Sequence, residues 1–429
     1  MSDDNAPAAT GAPARRVHSS RARWAVPGIA AVAVAAAFGT PALIATASSS
    51  DAPDVTAAEL VARVADAEPQ ALSGTAVYTA RLGLPEIPLS DVSGADPINL
   101  LGGSSTMRVW TDGQDRSRVA LLGATSEYSV VADGPEAWTY SSEDDAVVHY
   151  TLDPADRARY DELAQDASAG RAPDVAGDLP TPQEAAQQVL DLARQDATVA
   201  VGAPTTVAGR DAYPVVVTPT SETTLVARVV VSVDSETSTP LRVQVWSRDD
   251  ADVPALELGF TDVTFAPPSD TALEFSAPPG ASERDVVVPL PPEPTPEELA
   301  DAEAAGAGDG ALPPGTTVTG TGWDTVVETA GVDVVDLLAA DPSSVADLPP
   351  GVQERLESQG AQDLYEEFVP QDGSGPVPEL DASTLYEQLT TEVPQGRLLS
   401  SALLSVLVTD DGRVLAGAVP ADVLIDRAG

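Results

Sequence analysis

Cysteine is absent from all 429 residues. Disulfides, thiolate catalysis, Cys-ligated zinc and iron–sulfur clusters are therefore excluded, as is an anchor through an acylated cysteine. Lysine is absent too, which excludes Schiff-base and P-loop lysine chemistry. Histidine occurs twice, as His18 and His149, far apart in the chain. A Ser–His–Asp mechanism would need His149, which sits in AVVHYTL among apolar neighbours on an expected strand. No GxSxG, GxGxxG, HExxH or EF-hand spacing occurs. Acidic clusters such as Glu143-Asp144-Asp145 and Glu297-Glu298 fall at a turn and in a linker, where they read as solvated charge. The expectation is a protein that is not an enzyme, with no cofactor and no metal. Basic charge is scarce: 22 arginines face 67 acids, for a net −45. Nucleic acid is excluded as a partner, because phosphate binding needs a basic surface.

What is present begins with an uncharged run from Trp24 to Ala47 behind Arg15, Arg16, Arg21 and Arg23. As a helix that run would span roughly 36 Å at ~1.5 Å per residue, enough for a hydrocarbon core of ~30 Å. Arginines before it and an acidic chain after it put the N-terminus in the cytoplasm and the main body outside. The competing reading is a cleaved signal peptide ending at Ala45-Thr46-Ala47. Pro41 and the long basic segment favour a retained single-pass anchor. Either way, the main body is exported.

The chain divides into a basic tail (1–23), a transmembrane helix (24–47), a large domain (51–283), a Pro/Ala/Glu-rich linker (284–315) and a small C-terminal domain (316–429). In the large domain, Thr56 and Glu59 form a capping box opening a helix that Pro69 stops. Alternation of period two then starts at Leu72. A Pro/Gly/Ser loop covers 85–103. Short strands follow, with hairpin turns expected at Asp112-Gly113 and Asp133-Gly134. A second helix begins near Thr181-Pro182, and strands resume from 204 to 265. In the tail, TTVTGTGWDTVVET reads as a strand. VDVVDLLAA and GVQERLESQGAQDLYEEF read as helices, and a hairpin is expected about Asp411-Gly412. The fold class is α+β: a curved antiparallel half-barrel sheet wrapped on helices, then a smaller α+β unit.

Several segments together carry a resemblance: TAAELVARVADAEPQALSGTAVYTARLGLP, STMRVWTDGQDRSRVALLG, VVADGPEAWTYSSEDDAVVHYTL, TPQEAAQQVL, VAGRDAYPVVVTP, VDSETSTPLRVQVWSR and LELGFTDVTF. Residues 54–281 resemble the LolA-like superfamily. That superfamily includes the lipoprotein carrier LolA, the N-terminal domain of RseB and MucB regulators, and LppX-like lipid carriers. The likeness is strongest to actinobacterial exported members. The tail segments GTGWDTVV and TDDGRVLAGAV are similar to the C-terminal part of those relatives. The resemblance implies a half-wrapped barrel whose apolar cavity takes a lipid or a lipoprotein acyl chain, as carrier or sensor. An RseB-like module contacting another envelope protein is the alternative. A helix anchor departs from the free or lipidated members and puts shuttling between membranes in doubt.

Strand phase selects the residues that would line such a cavity. Tyr78, Ala80 and Leu82 form one set, Val109 a second, and Val229, Val231, Leu241, Val243 and Val245 a third. Arg108 and Trp110 share the other phase, as does Trp246. Two readings apply to these three: a charged and aromatic cavity rim, or an outer surface where Arg stacks on Trp.

Overall fold

The computed structural model describes residues 55–84, 95, 99–100, 102–154, 156–161, 196–288, 316–330 and 382–429. The expected membrane helix lies outside those residues, as do most of the 85–103 loop, the helix at 181, most of the linker and the two expected helices within 332–368. Among the described residues, no helix is long and apolar enough to cross a membrane.

The first helix, α1 (Ala57–Asp66), starts where the capping box requires. Glu59 N donates to Thr56 Oγ1 (3.3 Å), and Thr56 N donates to the Glu59 carboxylate (2.8 Å). Each partner thus satisfies a donor that the helix end leaves open. Leu60, Val61 and Ala62 are buried, so the helix has one apolar face to place against a sheet.

Thirteen strands build that sheet. They are β1 (Leu72–Ala80), β2 (Gly103–Thr111), β3 (Arg116–Leu122), β4 (Glu127–Asp133), β5 (Glu136–Ser141), β6 (Ala146–Leu152) and β7 (Ala197–Val201), then β8 (Thr205–Val207), β9 (Arg210–Pro219), β10 (Val226–Asp234), β11 (Pro240–Ser247), β12 (Leu256–Thr264) and β13 (Ser282–Val288). A short helix, α2 (Asp270–Leu273), precedes β13. The order is β13-β6-β5-β4-β3-β2-β1-β12-β11-β10-β9-β7, with β8 paired to β9. β2 to β6 form a meander, as the Asp-Gly turns require. At the first turn, the Asp112 carboxylate accepts from Gln114 N (2.8 Å), and Gly113 holds φ +77°. A Cβ at 113 would lie 2.6 Å from the Pro69 carbonyl oxygen, so glycine alone fits there.

Three expectations change. Strands resume at Ala197, not at 204, because β7 pairs with β9. The sheet does not end at 283: β13 runs to Val288 and pairs parallel with β6. Val286 is fully buried, in a cluster with Ala137, Val148 and Tyr150. TTVTGTGWDTVVET is not one strand but two, β14 (Thr316–Thr319) and β15 (Val326–Ala330), with a 3₁₀ turn at Gly322–Asp324 between them. Gly320, at φ +83°, allows the chain to reverse there.

The second sheet has the order β14-β15-β19-β18-β17-β16. Its other strands are β16 (Thr391–Val393), β17 (Gly396–Ser400), β18 (Ser405–Thr409) and β19 (Arg413–Gly417), flanked by helices α3 (Ala382–Leu389) and α4 (Ala421–Ala428). The hairpin at Asp411-Gly412 forms as expected. Val326, Leu407, Leu415, Val419 and Leu424 make its core. Both sheets belong to one compact unit.

Candidate functional site: an apolar sheet face

Side chains two apart on a strand share a face, and paired residues continue that face across strands. The register therefore defines two apolar rows. One runs Tyr78, Leu258, Val243, Val231, Val215 and Val201. The next runs Ala80, Leu256, Val245, Val229, Val217 and Val199. At the β7 side, α1 covers the rows. Leu60 and Val61 pack there with Val199, Val215 and Val217, and Val229 and Val231 lie half-buried against them. At the β2 side a second cluster forms from Met107, Leu121, Leu258 and Phe260, with Tyr78 and Val109 half-buried against it. Between the two clusters, Val243, Val245 and Leu256 are half-buried, forming an apolar strip.

The structure thus brings together Tyr78, Val109, Val229, Val231, Val243 and Val245. Ala80 shares the face but is 4% exposed, so it backs the strip. Leu82 follows β1, and its carbonyl accepts from Ala402 N of the second sheet (2.7 Å). Leu241 is a correction: it has no exposed surface and is enclosed with Val207, Ala212 and Phe260. The β8–β9 hairpin closes over it. That hairpin turns at Ala208-Gly209, both with positive φ, as a type I′ turn requires.

Of the two readings of Arg108, Trp110 and Trp246, the outer surface is the one their geometry fits. Alternation puts them on the face opposite Val109 and Val245. There the Arg108 guanidinium lies 4.8 Å over Trp110, with Arg118 5.8 Å from the same ring. Arg228 lies 3.8 Å over Trp246. Arg242 pairs with Glu257 (3.6 Å), and Gln244 Nε2 donates to Glu257 (3.2 Å). This face stacks and pairs its own charges, which is the outer-surface arrangement and not a rim.

The strip offers apolar contact and little else. Tyr78, at its β2 side, carries a phenol whose burial pushes its pKa above the ordinary value. His149 lies elsewhere, on β6. Its Nδ1 is 3.0 Å from Asp285, its Nε2 is 3.5 Å from Glu136, and its ring stacks on Trp138 at 4.9 Å. Among the described residues, no group of three or more His, Asp or Glu could hold a metal ion. Sequence reasoning missed Leu256, Leu258 and Val217. Strand phase combined with hairpin pairing of successive strands could have found them, since each continues a row through its paired neighbour.

No protein-family model and no curated protein matches the sequence. Solved structures do. MucB of Pseudomonas aeruginosa, in its complex with MucA, is 16% identical, with a TM-score of 0.38 over 86% of this chain and 96% of that one. A LolA superfamily protein of Nitrosomonas europaea is 10% identical, with a TM-score of 0.19 over 52% of this chain and 98% of that one. An outer membrane lipoprotein-sorting domain of Vibrio parahaemolyticus is 10% identical, with a TM-score of 0.19 over 50% of this chain and 95% of that one. Identities and TM-scores this low carry no activity, ligand or partner across. The LolA-like reading of this chain's function therefore rests on its own residues.

Proposed function

We propose that this protein is a non-enzymatic envelope protein, tethered by its N-terminal segment, whose main body takes a lipid or lipoprotein acyl chain on the apolar face of the large sheet. The observation that supports this is the half-buried strip of Val243, Val245 and Leu256 between two buried clusters. Such a surface has no directional chemistry and selects by area, at ~0.8 kcal/mol per buried methylene. Ten covered methylenes would supply about 8 kcal/mol before the costs of association, which suits reversible holding. The tether rests on the uncharged run 24–47 and its arginine flank, and places the acyl-binding face outside the cytoplasmic membrane.

Native mass spectrometry with lipid extraction, on the chain from residue 51 onward expressed with export, tests the reading. A reproducible added mass that extracts as lipid is expected. A clean apo mass, unchanged after incubation with lipids and lipopeptides, would sink it in favour of a module that contacts another envelope protein.

A further inference from the structure

The second sheet touches the large one along the strand ends that border the apolar rows. Thr224 Oγ1 and Leu225 N both donate to the Ala418 carbonyl (2.8 Å each). Ala402 N donates to Leu82 O, just past β1. Ser221 Oγ donates to the Asp324 carboxylate (2.5 Å). All these positions on the large sheet lie at the end of the strands where Ala80, Val245, Val229 and Val199 stand in one row.

The β14–β15 turn goes further than this backbone contact. Trp323, half-buried, packs against the apolar cluster beneath α1. Gly322, immediately before it, holds φ +56°, and a Cβ there would lie 2.4 Å from the Asp196 carboxyl carbon. The turn is seated so closely that only glycine fits. An indole is the largest apolar side chain available, and here it is supplied by one sheet to the core of the other. Hydrogen bonds alone would hold the sheets together, so they do not explain why an indole enters the apolar cluster of its neighbour.

We propose that Trp323 is a stopper. It closes the row-end of the apolar face and sets the length of acyl chain the face accepts. This rests on the acyl-binding reading above and adds a residue that determines specificity. A chain laid along the strip gains cover with each methylene until it meets the indole. Each covered methylene tightens binding about fourfold. Past the stopper, further methylenes stay in water and the gain ceases.

The test uses the full chain reconstituted in phosphatidylcholine vesicles. A photoreactive diazirine fatty acid is crosslinked to it, and unlabelled saturated fatty acids of rising length compete. Wild type should show the fourfold gain per methylene up to a break, then a plateau. Trp323→Ala should move the break to chains at least two methylenes longer. Gly322→Ala should do the same while keeping the indole, because it unseats the turn. Trp323→Phe should leave the break near its wild-type position. Hydrogen exchange at the Leu225 amide, which donates to Ala418 O, reports whether the sheets stay docked in each variant. A break that stays put in both Trp323→Ala and Gly322→Ala overturns the stopper while leaving acyl binding intact. If wild type captures no probe at any length, the acyl-binding reading falls, and the stopper falls with it.

Discussion

Replacing Asp234 by alanine should cost the fold about 4–6 kcal/mol. The carboxylate ends β10 and has no exposed side-chain surface. It accepts from Arg210 Nε and Nη2 (the latter 3.0 Å), from Glu236 N (3.0 Å), from Thr237 N (2.8 Å) and from Thr237 Oγ1 (3.0 Å). Arg210 is partly exposed and keeps Glu236 as a partner at 2.8 Å, so its charge is not stranded. The loss then comes from two amides and a hydroxyl in the β10–β11 turn, at about 1 kcal/mol each, plus the charge-assisted bond. Burial raises the Asp234 pKa, but the bonds from Arg210, Thr237 and Glu236 outweigh it and hold the carboxyl below its ordinary value. A carboxyl depressed in the folded state stabilises fully above its unfolded pKa, near ~3.9, and loses that contribution as pH falls through the folded value. The stability gap between wild type and Asp234→Ala should therefore be level from about pH 5 to 7 and narrow below about pH 4. Urea unfolding followed by tryptophan fluorescence measures the gap. A gap under about 1 kcal/mol at pH 7, or one that widens on acidification, would refute the reasoning.

Val243→Asp places a charge in the half-buried strip; captured acyl probe should fall at least tenfold, whereas Gln244→Ala on the opposite face should leave capture unchanged. Leu60→Ala in α1, at 1% exposure, should destabilise by about 2–5 kcal/mol in urea titration, since the helix has no other deep anchor of that size. Arg228 over Trp246 should give a coupling of about 1–2 kcal/mol in a double-mutant cycle with Arg228→Ala and Trp246→Leu, and a coupling of zero would show the stack to be incidental.

The local part of the fold is legible in the sequence. A capping box and Asp-Gly pairs act through neighbours along the chain, so residue order alone places α1 and the β2–β6 meander. Strand phase also separates the Val243/Val245 face from the Trp246 face, because alternation is a property of each strand alone. What depends on distant segments is not legible. β13 pairs parallel with β6, so no turn residue announces it, and its Val-Val-Val ends in a proline run that reads as linker. Leu241 has the phase of a lining residue, but the β8–β9 hairpin folds over it, and single-strand phase carries no trace of that. Trp323 is visible within GTGWD, yet its neighbours come from distant parts of the chain.

β13 lies at one extreme of the large sheet, whereas the second sheet, which follows it in the chain, docks along the half from β1 to β7. Roughly six to eleven strand spacings separate those positions, about 30–50 Å along the sheet at ~4.8 Å each. The chain between Val288 and Thr316 must bridge that span, and its reach at ~3.3 Å per residue exceeds it. A protease cut there would change the partnership of the two sheets from unimolecular to bimolecular. The second sheet would then stay or leave according to dilution, making the docking strength directly measurable on the nicked protein.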